Sequence, residues 1–276
     1  MSAPDPHEAW TWPYQAYVPY FVGFVTKGWG QAVKRLAIFG AALMLFAEAP
    51  AAVATFQGRN GRIAFRRYLN QAQTRGAIFT IRRDGTGLRQ VTHPRRGFVT
   101  DEPDSSPNGR WILYQREKRG EFPTRLFKIR PNGSDRTYLS SDCGRRCGDS
   151  YASWFPGGKR IAFQRESCFD AHNLVAVYAM RANGTKARRV THKSATCANP
   201  HRYEASSPTV ASSGKRLAFA RIDNQRDRKQ AIFTIRLDGT GLKRLTPWRI
   251  DADQPDWSPN GRWIAFRTQQ QSDTKG

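Results

Sequence analysis

The side chains best suited to bind a ligand are histidines and arginines in the irregular segments that separate short apolar runs. Guanidinium groups bind carboxylates and phosphates, and imidazoles bind anions or metal ions near neutral pH. Two of the histidines, His93 and His192, each follow a Val-Thr pair, which indicates equivalent places in a repeated unit. The candidate binding residues are His93, Arg95, Arg96, Arg145, Arg146, His172, His192, His201 and Arg202.

Motifs for metal binding and catalysis are missing from the sequence. No two histidines have the i, i+4 spacing of a helical metal site, and none combines with cysteine in a zinc pattern. The sequence also lacks G-x-S-x-G, H-E-x-x-H, a P-loop and G-x-G-x-x-G. We therefore expect no catalytic residue, no metal site and no cofactor, and a protein that is not an enzyme.

The four cysteines, Cys143, Cys147, Cys168 and Cys197, fit a protein of an oxidising compartment. An even number suggests disulfides, and four cysteines allow three pairings. We prefer Cys143–Cys147 together with Cys168–Cys197. A zinc site is the alternative, but a close pair followed by two isolated cysteines is poor zinc spacing.

The first 54 residues read as a leader. A basic pair precedes the apolar stretch 36–47, and an Ala-x-Ala motif ends at Ala54, as in a secretory signal peptide cleaved at that point. The apolar stretch is too short to span a bilayer, which takes about 20 residues, so we predict no transmembrane anchor. Residues 1–33 are either an extension from a start site assigned too far upstream or a membrane-associated segment. We predict an exported protein, periplasmic or extracellular, whose folded domain is 55–276.

The formal charge is +23 at pH 7, with a pI near 10.7. Such a protein associates with anions, among them nucleic acids, acidic lipid headgroups and acidic polysaccharides. The arginines are scattered along the chain, which indicates a broad solvated basic surface more than a dedicated groove. We expect no nucleic-acid partner, because the aromatic residues that would stack on bases lie mostly in apolar runs.

One segment recurs along the chain. "SSPNGRWILY" begins at Ser105 and "WSPNGRWIAF" at Trp257, each after an aspartate, with the weaker copies "SWFPGGKRIAF" and "TVASSGKRLAF" between them. The glycines that close these turns, with a further one at Gly61, are 48, 49, 56 and 47 residues apart. A second marker, "IRLDGTGLKRLT" and its relatives, keeps the same period. Periods of about 50 residues indicate propellers, solenoids or arrays.

Each unit reads as four short strands, A to D, bounded by Gly, Pro, Asn and Asp. The Asn-Gly and Asp-Gly pairs supply the positive φ angles that tight hairpin turns require. Radial packing of such sheets buries both of their faces, which is the β-propeller architecture. We expect the aromatic residues of strands A and B to fill the space between blades: Phe65, Tyr114, Trp154, Phe163, Phe219, Trp257 and Phe266.

"DQPDWSPNGRWIAF", together with "AIFTIRLDGTGLKRLT", resembles the WD-like repeat of TolB-type β-propellers, over residues 56 to about 268. The resemblance implies an all-β propeller of four-stranded antiparallel blades. We expect four to five blades, the first and last incomplete, because the first unit begins at its B strand and the last stops after its B strand. Either the C-terminal A strand completes the first sheet, or the ring is an incomplete set of five.

In such a blade the A–B and C–D turns lie on one face of the disc, and the longer B–C and D–A loops lie on the other. The cysteines and the candidate binding residues fall in the longer loops, so we predict that the loop-rich face binds the partner. Asp101, Asp149 and Asp253 begin strand A, and we expect them to hydrogen-bond the neighbouring blade more than to bind a cation.

The expected function is that of an exported, non-catalytic scaffold that binds another envelope protein or an anionic envelope polymer. The alternative is a small propeller hydrolase or lyase that acts on glycans. That alternative requires two or three carboxylates that converge at the mouth of the central channel.

Overall fold

The structure is a computed structural model and describes residues 22–24, 61–119, 121–144, 147–168, 174–192, 194–199 and 202–268. The predicted signal peptide lies outside the described residues. In chain order the strands are β1 (Val22–Phe24), β2 (Ile63–Tyr68), β3 (Gly76–Ile81), β4 (Arg89–Gln90), β5 (Phe98–Ser105), β6 (Ile112–Lys118), β7 (Glu121–Ile129), β8 (Thr137–Tyr138), β9 (Cys147–Trp154), β10 (Arg160–Ser167), β11 (Leu174–Arg181), β12 (Arg188–Arg189), β13 (Tyr203–Val210), β14 (Arg216–Asp223), β15 (Lys229–Arg236), β16 (Lys243–Arg244), β17 (Ala252–Trp257) and β18 (Ile264–Thr268). A short 3-10 helix, Trp248–Ile250, precedes β17.

Strands β5 to β16 form three complete blades, each a meander of four antiparallel strands: β5–β8, β9–β12 and β13–β16. The turn signals in the sequence close the hairpins as expected. The Ser-Pro-Asn-Gly turn between β5 and β6 places Gly109 at a φ of 66°, a left-handed conformation that glycine adopts without steric cost. The fold is therefore the all-β, four-stranded-blade architecture that the repeat predicts.

The first and last blades are incomplete, as the sequence predicts. The first contains β2, β3 and β4, with no inner strand among the described residues, and a single parallel bridge between Gly76 and Val99 joins it to the second blade. The last contains β17 and β18, and β1 pairs with β18 in the place of a third strand. The C-terminal A strand therefore does not complete the first sheet, and the sheets form an incomplete set of five.

Each of the four inner strands, β5, β9, β13 and β17, carries a β-bulge at the same place. The bulged residues Glu102, Tyr151, Ser207 and Gln254 have left-handed φ angles of 49°, 48°, 49° and 46°. They recur with the period of the sequence repeat. Residues other than glycine are uncommon in this conformation, and a bulge changes the direction of a side chain. Four bulges at one repeat position are therefore a recurrent structural feature of the fold and not a local irregularity.

Apolar residues pack between adjacent blades. Most of the predicted core aromatics are buried, with exposures of 7% or less: Tyr114, Trp154, Phe163, Phe219 and Phe266. Phe65 and Trp257 are only partly buried, and both lie in the incomplete blades.

One arginine in strand B of four blades stacks on a ring of its own sheet. The arginines are Arg67, Arg116, Arg165 and Arg221, at 5.8, 4.9, 5.1 and 5.1 Å from the centres of Phe79, Phe127, Tyr178 and Phe233 respectively. Cation–π contacts of this kind hold the charge against the sheet. The expectation of a broad solvated basic surface does not extend to Arg165, which is only 8% exposed.

Candidate functional site

The centre of the disc contains a cavity of about 450 Å³, lined by the inner strands of four blades. Its wall includes the bulged residues Glu102, Tyr151, Ser207 and Gln254. Burial, and next the neighbouring charge of Asp101, raise the pKa of Glu102. The bulges therefore bring one polar or acidic side chain from each of these blades to the axis.

The carboxyl group of Asp104 lies beside this cavity. Burial raises the pKa of Asp104 to about 7, and the nearby charge of Asp256 acts in the same direction. The backbone N–H of Trp154 donates to Asp104 Oδ2 at 2.8 Å, and the Trp154 indole Nε1–H donates to the Asp104 carbonyl at 3.2 Å. Asp104 thus joins the second blade to the third, a role that is structural in itself.

The aspartates of the inner strands bind arginines. Asp101 of the second blade pairs with Arg66 of the first, as expected for a contact between neighbouring blades. Asp149 instead binds Arg165 of its own blade at 2.7 Å, and Asp253 binds an arginine of β18 in its own blade. The expectation is wrong for these two, because strand B of the same sheet presents an arginine beside each of them. The described part of the chain contains no cluster of three or more His, Cys, Asp or Glu side chains that could hold a metal ion.

The loop-rich face is the side of the disc that carries the B–C and D–A loops, including 93–97, 140–144, 194–199 and 224–228. The candidate binding residues that the structure places there are His93, Arg95, Arg96, His192 and Arg202. The others, Arg145, Arg146, His172 and His201, lie outside the described residues. His93, Arg95 and Arg96 are exposed, and His192 is half-buried.

Ion pairs occupy many of the cations on the loop-rich face. Arg202 donates from Nε and Nη2 to the two carboxylate oxygens of buried Asp223, at 2.8 and 2.7 Å. Arg228 binds Glu204 in the same two-pronged way, with both contacts at 3.0 Å. The hydrogen bond from Arg202 lowers the pKa of Asp223, so this carboxylate stays charged and holds its partner. Arg202 therefore has a structural role, because its guanidinium is held by a buried carboxylate.

Two disulfides brace the same face. They join Cys143 to Cys147 and Cys168 to Cys197, the pairing preferred from the sequence. The first closes the loop between β8 and β9, and the second links the β10–β11 loop to the β12–β13 loop. Both bridges constrain long segments that lack sheet hydrogen bonds.

The opposite side of the disc, here named the short-turn face, consists of the A–B turns (106–111, 155–160, 211–216, 258–263) and the C–D turns (82–88, 130–136, 181–187, 236–242). The only carboxylates in these turns are Asp84, Asp135 and Asp238. Asp84 and Asp238 accept backbone N–H bonds from the residue two places on, at 2.9 and 2.8 Å. Asp135 pairs with Arg130 at 3.1 Å.

Basic side chains dominate the short-turn face. Those that form no salt bridge with a described carboxylate include Arg82, Arg83, Arg110, Arg136, Lys159, Arg181, Lys186, Lys215, Arg236 and Arg262. The exposed large apolar residues lie in or beside the same turns: Ile63, Leu88, Tyr138, Leu242 and Trp263. A face with unpaired cations and exposed apolar side chains has the composition of a binding surface.

Sequence reasoning placed the binding residues on the loop-rich face and passed over the short-turn face. Loops of variable length are usual binding sites, whereas the short turns read as fixed structural repeats. The available signal was the charge balance within each repeated turn, where lysine and arginine far outnumber aspartate. The bulged residues of the channel carried no sequence signal, because Glu, Tyr, Ser and Gln have nothing in common.

The fold is that of a TolB-like β-propeller. A TolB-type structure from Agrobacterium tumefaciens superposes with a TM-score of 0.55 and 17% identity, over 75% of this chain and 70% of that one. TolB from Acinetobacter baumannii gives 0.53 and 18%, over 76% of this chain and 52% of that one. An oligogalacturonate lyase in complex with manganese gives 0.51 and 9%, over 74% and 58%. At such identities the likeness concerns the fold alone.

No protein-family model and no curated protein matches the chain. The described residues include no helix with the length and apolar character needed to cross a bilayer.

Proposed function

We propose that this chain is an exported, non-catalytic binding scaffold whose short-turn face binds an anionic polymer of the cell envelope. The observation that carries the proposal is the unequal pairing of charge on the two faces. On the loop-rich face, carboxylates hold arginines such as Arg202 and Arg228 in ion pairs. On the short-turn face most cations have no carboxylate partner among the described residues, so their positive electrostatic potential extends into the solvent.

Binding to purified envelope polysaccharide, measured as a function of salt, tests this proposal. We expect binding at low ionic strength that weakens steeply as salt is added, because exposed charge contacts are screened. The variant Arg83→Glu/Arg110→Glu on the short-turn face should weaken binding strongly. The matched variant Arg95→Glu/Arg96→Glu on the loop-rich face should change it little.

The opposite ranking of these two variants would contradict the short-turn face and support the loop-rich face. His93, Arg95 and Arg96 remain the predicted contacts for an envelope protein on that side. A pull-down from envelope extract that loses a specific partner only in Arg95→Glu/Arg96→Glu would support protein binding through the loops.

A second candidate function is glycan cleavage in the central channel. It is favoured by the meeting of Glu102 and Asp104 in one cavity and by the pKa of Asp104 near 7, a value suited to a general acid. Turnover of a polysaccharide panel, lost in Glu102→Gln, would support it. No turnover of any member would favour the scaffold.

Export is part of the proposal and has its own test. The disulfides of the loop-rich face are stable in oxidising compartments, which supports secretion. N-terminal sequencing of the exported protein should begin at Thr55. Intact mass before and after reduction should differ by four hydrogens, as expected for two bridges.

A further inference from the structure

A groove of about 950 Å³ lies on the short-turn face between the third and fourth blades. The basic residues that line it are Lys159, Arg160, Arg181, Lys186, Arg188 and Arg189. Its one carboxylate, Asp238, accepts the backbone N–H of Thr240 at 2.8 Å and its hydroxyl at 2.7 Å. The groove therefore concentrates positive charge in a concave space.

The repeat explains how this groove arises, through the residue at or immediately before the start of strand B. In the first and fourth blades it is Arg62 and Arg216. Arg62 donates to the Thr80 hydroxyl at 2.9 Å and to the carbonyl of Gly87. Arg216 makes the same two contacts in its own blade, to a threonine at 3.1 Å and to a glycine carbonyl at 2.9 Å. In these blades the arginine closes the space beneath the C–D turn.

The third blade keeps the arginine but makes neither hydrogen bond. Arg160 occupies the position of Arg62, but the threonine is replaced by Ala179 and the turn glycine by Lys186. Arg160 lies over the ring of Phe155 at 4.6 Å, and no described residue accepts a hydrogen bond from its guanidinium. Because the threonine hydroxyl is absent and Arg160 makes no hydrogen bond to the Lys186 carbonyl, the space beneath the turn stays open and the guanidinium donors of Arg160 stay unused.

Lys186 adds a cation at a position that disfavours it. Its φ is +57°, a conformation in which glycine is favoured and a side chain costs about 1 kcal/mol or more. The second blade also lacks glycine here, but it places Asp135 at a φ of 55°, and Asp135 neutralises Arg130. At this turn position the second blade has an aspartate that neutralises a nearby arginine, whereas the third blade has an additional positive charge.

We propose that this groove binds a segment of an acidic polysaccharide, whose carboxylate groups contact the basic side chains of the groove. The inference rests on the proposed function and names the place and the ligand class. Small-molecule pockets span roughly 300–1,000 Å³, and this groove lies at the upper end of that range. Several cations around one concavity suit a chain with regularly spaced negative charges.

Other polyanions match the groove less well. Single-stranded nucleic acid is bound with aromatic rings that stack on bases, and no aromatic residue lines the groove. A membrane surface is bound by protruding apolar side chains beside cations. The cations here surround a recess, and its apolar lining is Ala179, Met180, Ala182, Val190 and Leu237, which lie on the strands and turns that form the wall.

The test uses an alginate decasaccharide, with its methyl-esterified form as the uncharged control, titrated into the full-length protein by calorimetry. Lys186→Gly/Arg188→Gln removes two groove cations and restores the glycine of the first and fourth blades. The matched control, Arg89→Gln/Lys243→Gln, removes two cations at the positions equivalent to Arg188 in those blades. Thermal unfolding of each variant checks that the fold is intact.

We expect the groove variant to weaken alginate binding by about tenfold, which corresponds to about 1.4 kcal/mol, and the control variant by less than about twofold. The esterified decasaccharide should not bind.

Equal losses in the two variants would overturn the groove while leaving a diffuse basic face, and hence the proposed function, intact. Absence of binding to alginate combined with groove-dependent binding of a DNA oligonucleotide or of anionic vesicles would overturn the ligand class. No binding to any polyanion at low salt would overturn the proposed function itself.

Discussion

The two faces of the disc treat their arginines and lysines in different ways. On and beneath the loop-rich face, arginines form ion pairs with carboxylates, as in Arg165–Asp149, Arg202–Asp223 and Arg228–Glu204. On the short-turn face Arg62 and Arg216 bind hydroxyls and backbone carbonyls, and most other cations project without a carboxylate partner among the described residues.

The difference follows from the backbone. Long loops have few sheet hydrogen bonds, so side-chain ion pairs and disulfides hold them in place. Tight turns close with their own backbone bonds and with short Asp or Asn side chains, as at Asp84 and Asn132. The basic side chains of the turns are then not needed for folding. The net charge calculated from the composition therefore does not show where the positive electrostatic potential is concentrated. Ion pairing with carboxylates decides which cations remain available to a ligand.

The largest expected effect concerns a buried ion pair between β9 and β10, at the ends of these strands nearest the loop-rich face. Asp149 is fully buried and binds Arg165 through both carboxylate oxygens, at 2.7 and 2.9 Å. Asp149→Ala leaves the arginine buried with Asp142 alone, and we expect the free energy of unfolding to fall by about 3 kcal/mol. Urea denaturation measures this loss.

The control for this variant lies on the short-turn face. Arg181→Gln removes an exposed cation with no carboxylate partner among the described residues, and its effect on unfolding should stay within about 0.5 kcal/mol. Similar losses in Asp149→Ala and Arg181→Gln would break the contrast between the faces.

The next effect concerns the cavity at the centre of the disc. Because burial raises the pKa of Asp104 to about 7, the folded protein keeps this proton over a range in which the unfolded chain, with an ordinary carboxyl pKa near 4, has released it. The contribution of Asp104 to stability is then fully present below pH 4 and falls as pH rises toward 7, by about 1.4 kcal/mol per pH unit at most.

Asp104→Asn removes this titration while keeping an oxygen that can accept the Trp154 N–H. We expect the variant to gain stability relative to the natural protein as pH rises from 5 to 8. Unfolding midpoints at these two pH values, with Asp84→Asn as the exposed control, measure the gain. A constant difference between variant and natural protein across the range would show that Asp104 titrates normally.

The sequence was sufficient to predict the architecture, because the glycines and Asx-Gly pairs of the turns and the aromatic strands repeat with one period. Trp154 and Phe163 are core residues for that reason, and the incomplete first and last blades follow from where the repeat starts and stops. The structure also contains the disulfide pairing preferred from the sequence, Cys143–Cys147 and Cys168–Cys197.

The proposed binding surface was less accessible to prediction from the sequence, because it depends on which charges meet in space. Arg202 looked like a free loop cation, yet its partner Asp223 lies 21 residues further on at the end of β14. Conversely, Lys186 stood in a turn that had the pattern of a purely structural repeat. The alignment of repeats contained the signal at Lys186, but it gains meaning only when the contacts of Arg62 and Arg216 are known.

A smaller effect separates the equivalent arginines of the short-turn face. Arg216→Ala loses hydrogen bonds to the Thr234 hydroxyl and the Gly241 carbonyl, and we expect a loss of about 1–2 kcal/mol in the free energy of unfolding. Arg160→Ala loses only its contact with the ring of Phe155, and we expect about 0.5 kcal/mol. Chemical denaturation of both variants compares them directly. A larger loss for Arg160→Ala would show that this arginine has structural partners and would weaken the view of the groove as a site with unused donors.

The smallest expected change in the free energy of unfolding has opposite signs at two equivalent turn positions, Lys186 and Gly241. Lys186 and Gly241 have φ angles of 57° and 63°, so both need a conformation that only glycine adopts freely. Lys186→Gly relieves that strain at the expense of some backbone entropy, and we expect a gain of up to about 1 kcal/mol. Gly241→Ala should lose about 1 kcal/mol, because the added Cβ meets Arg236 Nη1 at 3.1 Å in a strained backbone. Thermal unfolding of the two variants checks both signs. If Lys186→Gly is more stable and also binds alginate less well, the third blade retains a lysine that opposes folding stability, which is the pattern expected where a ligand contact maintains it.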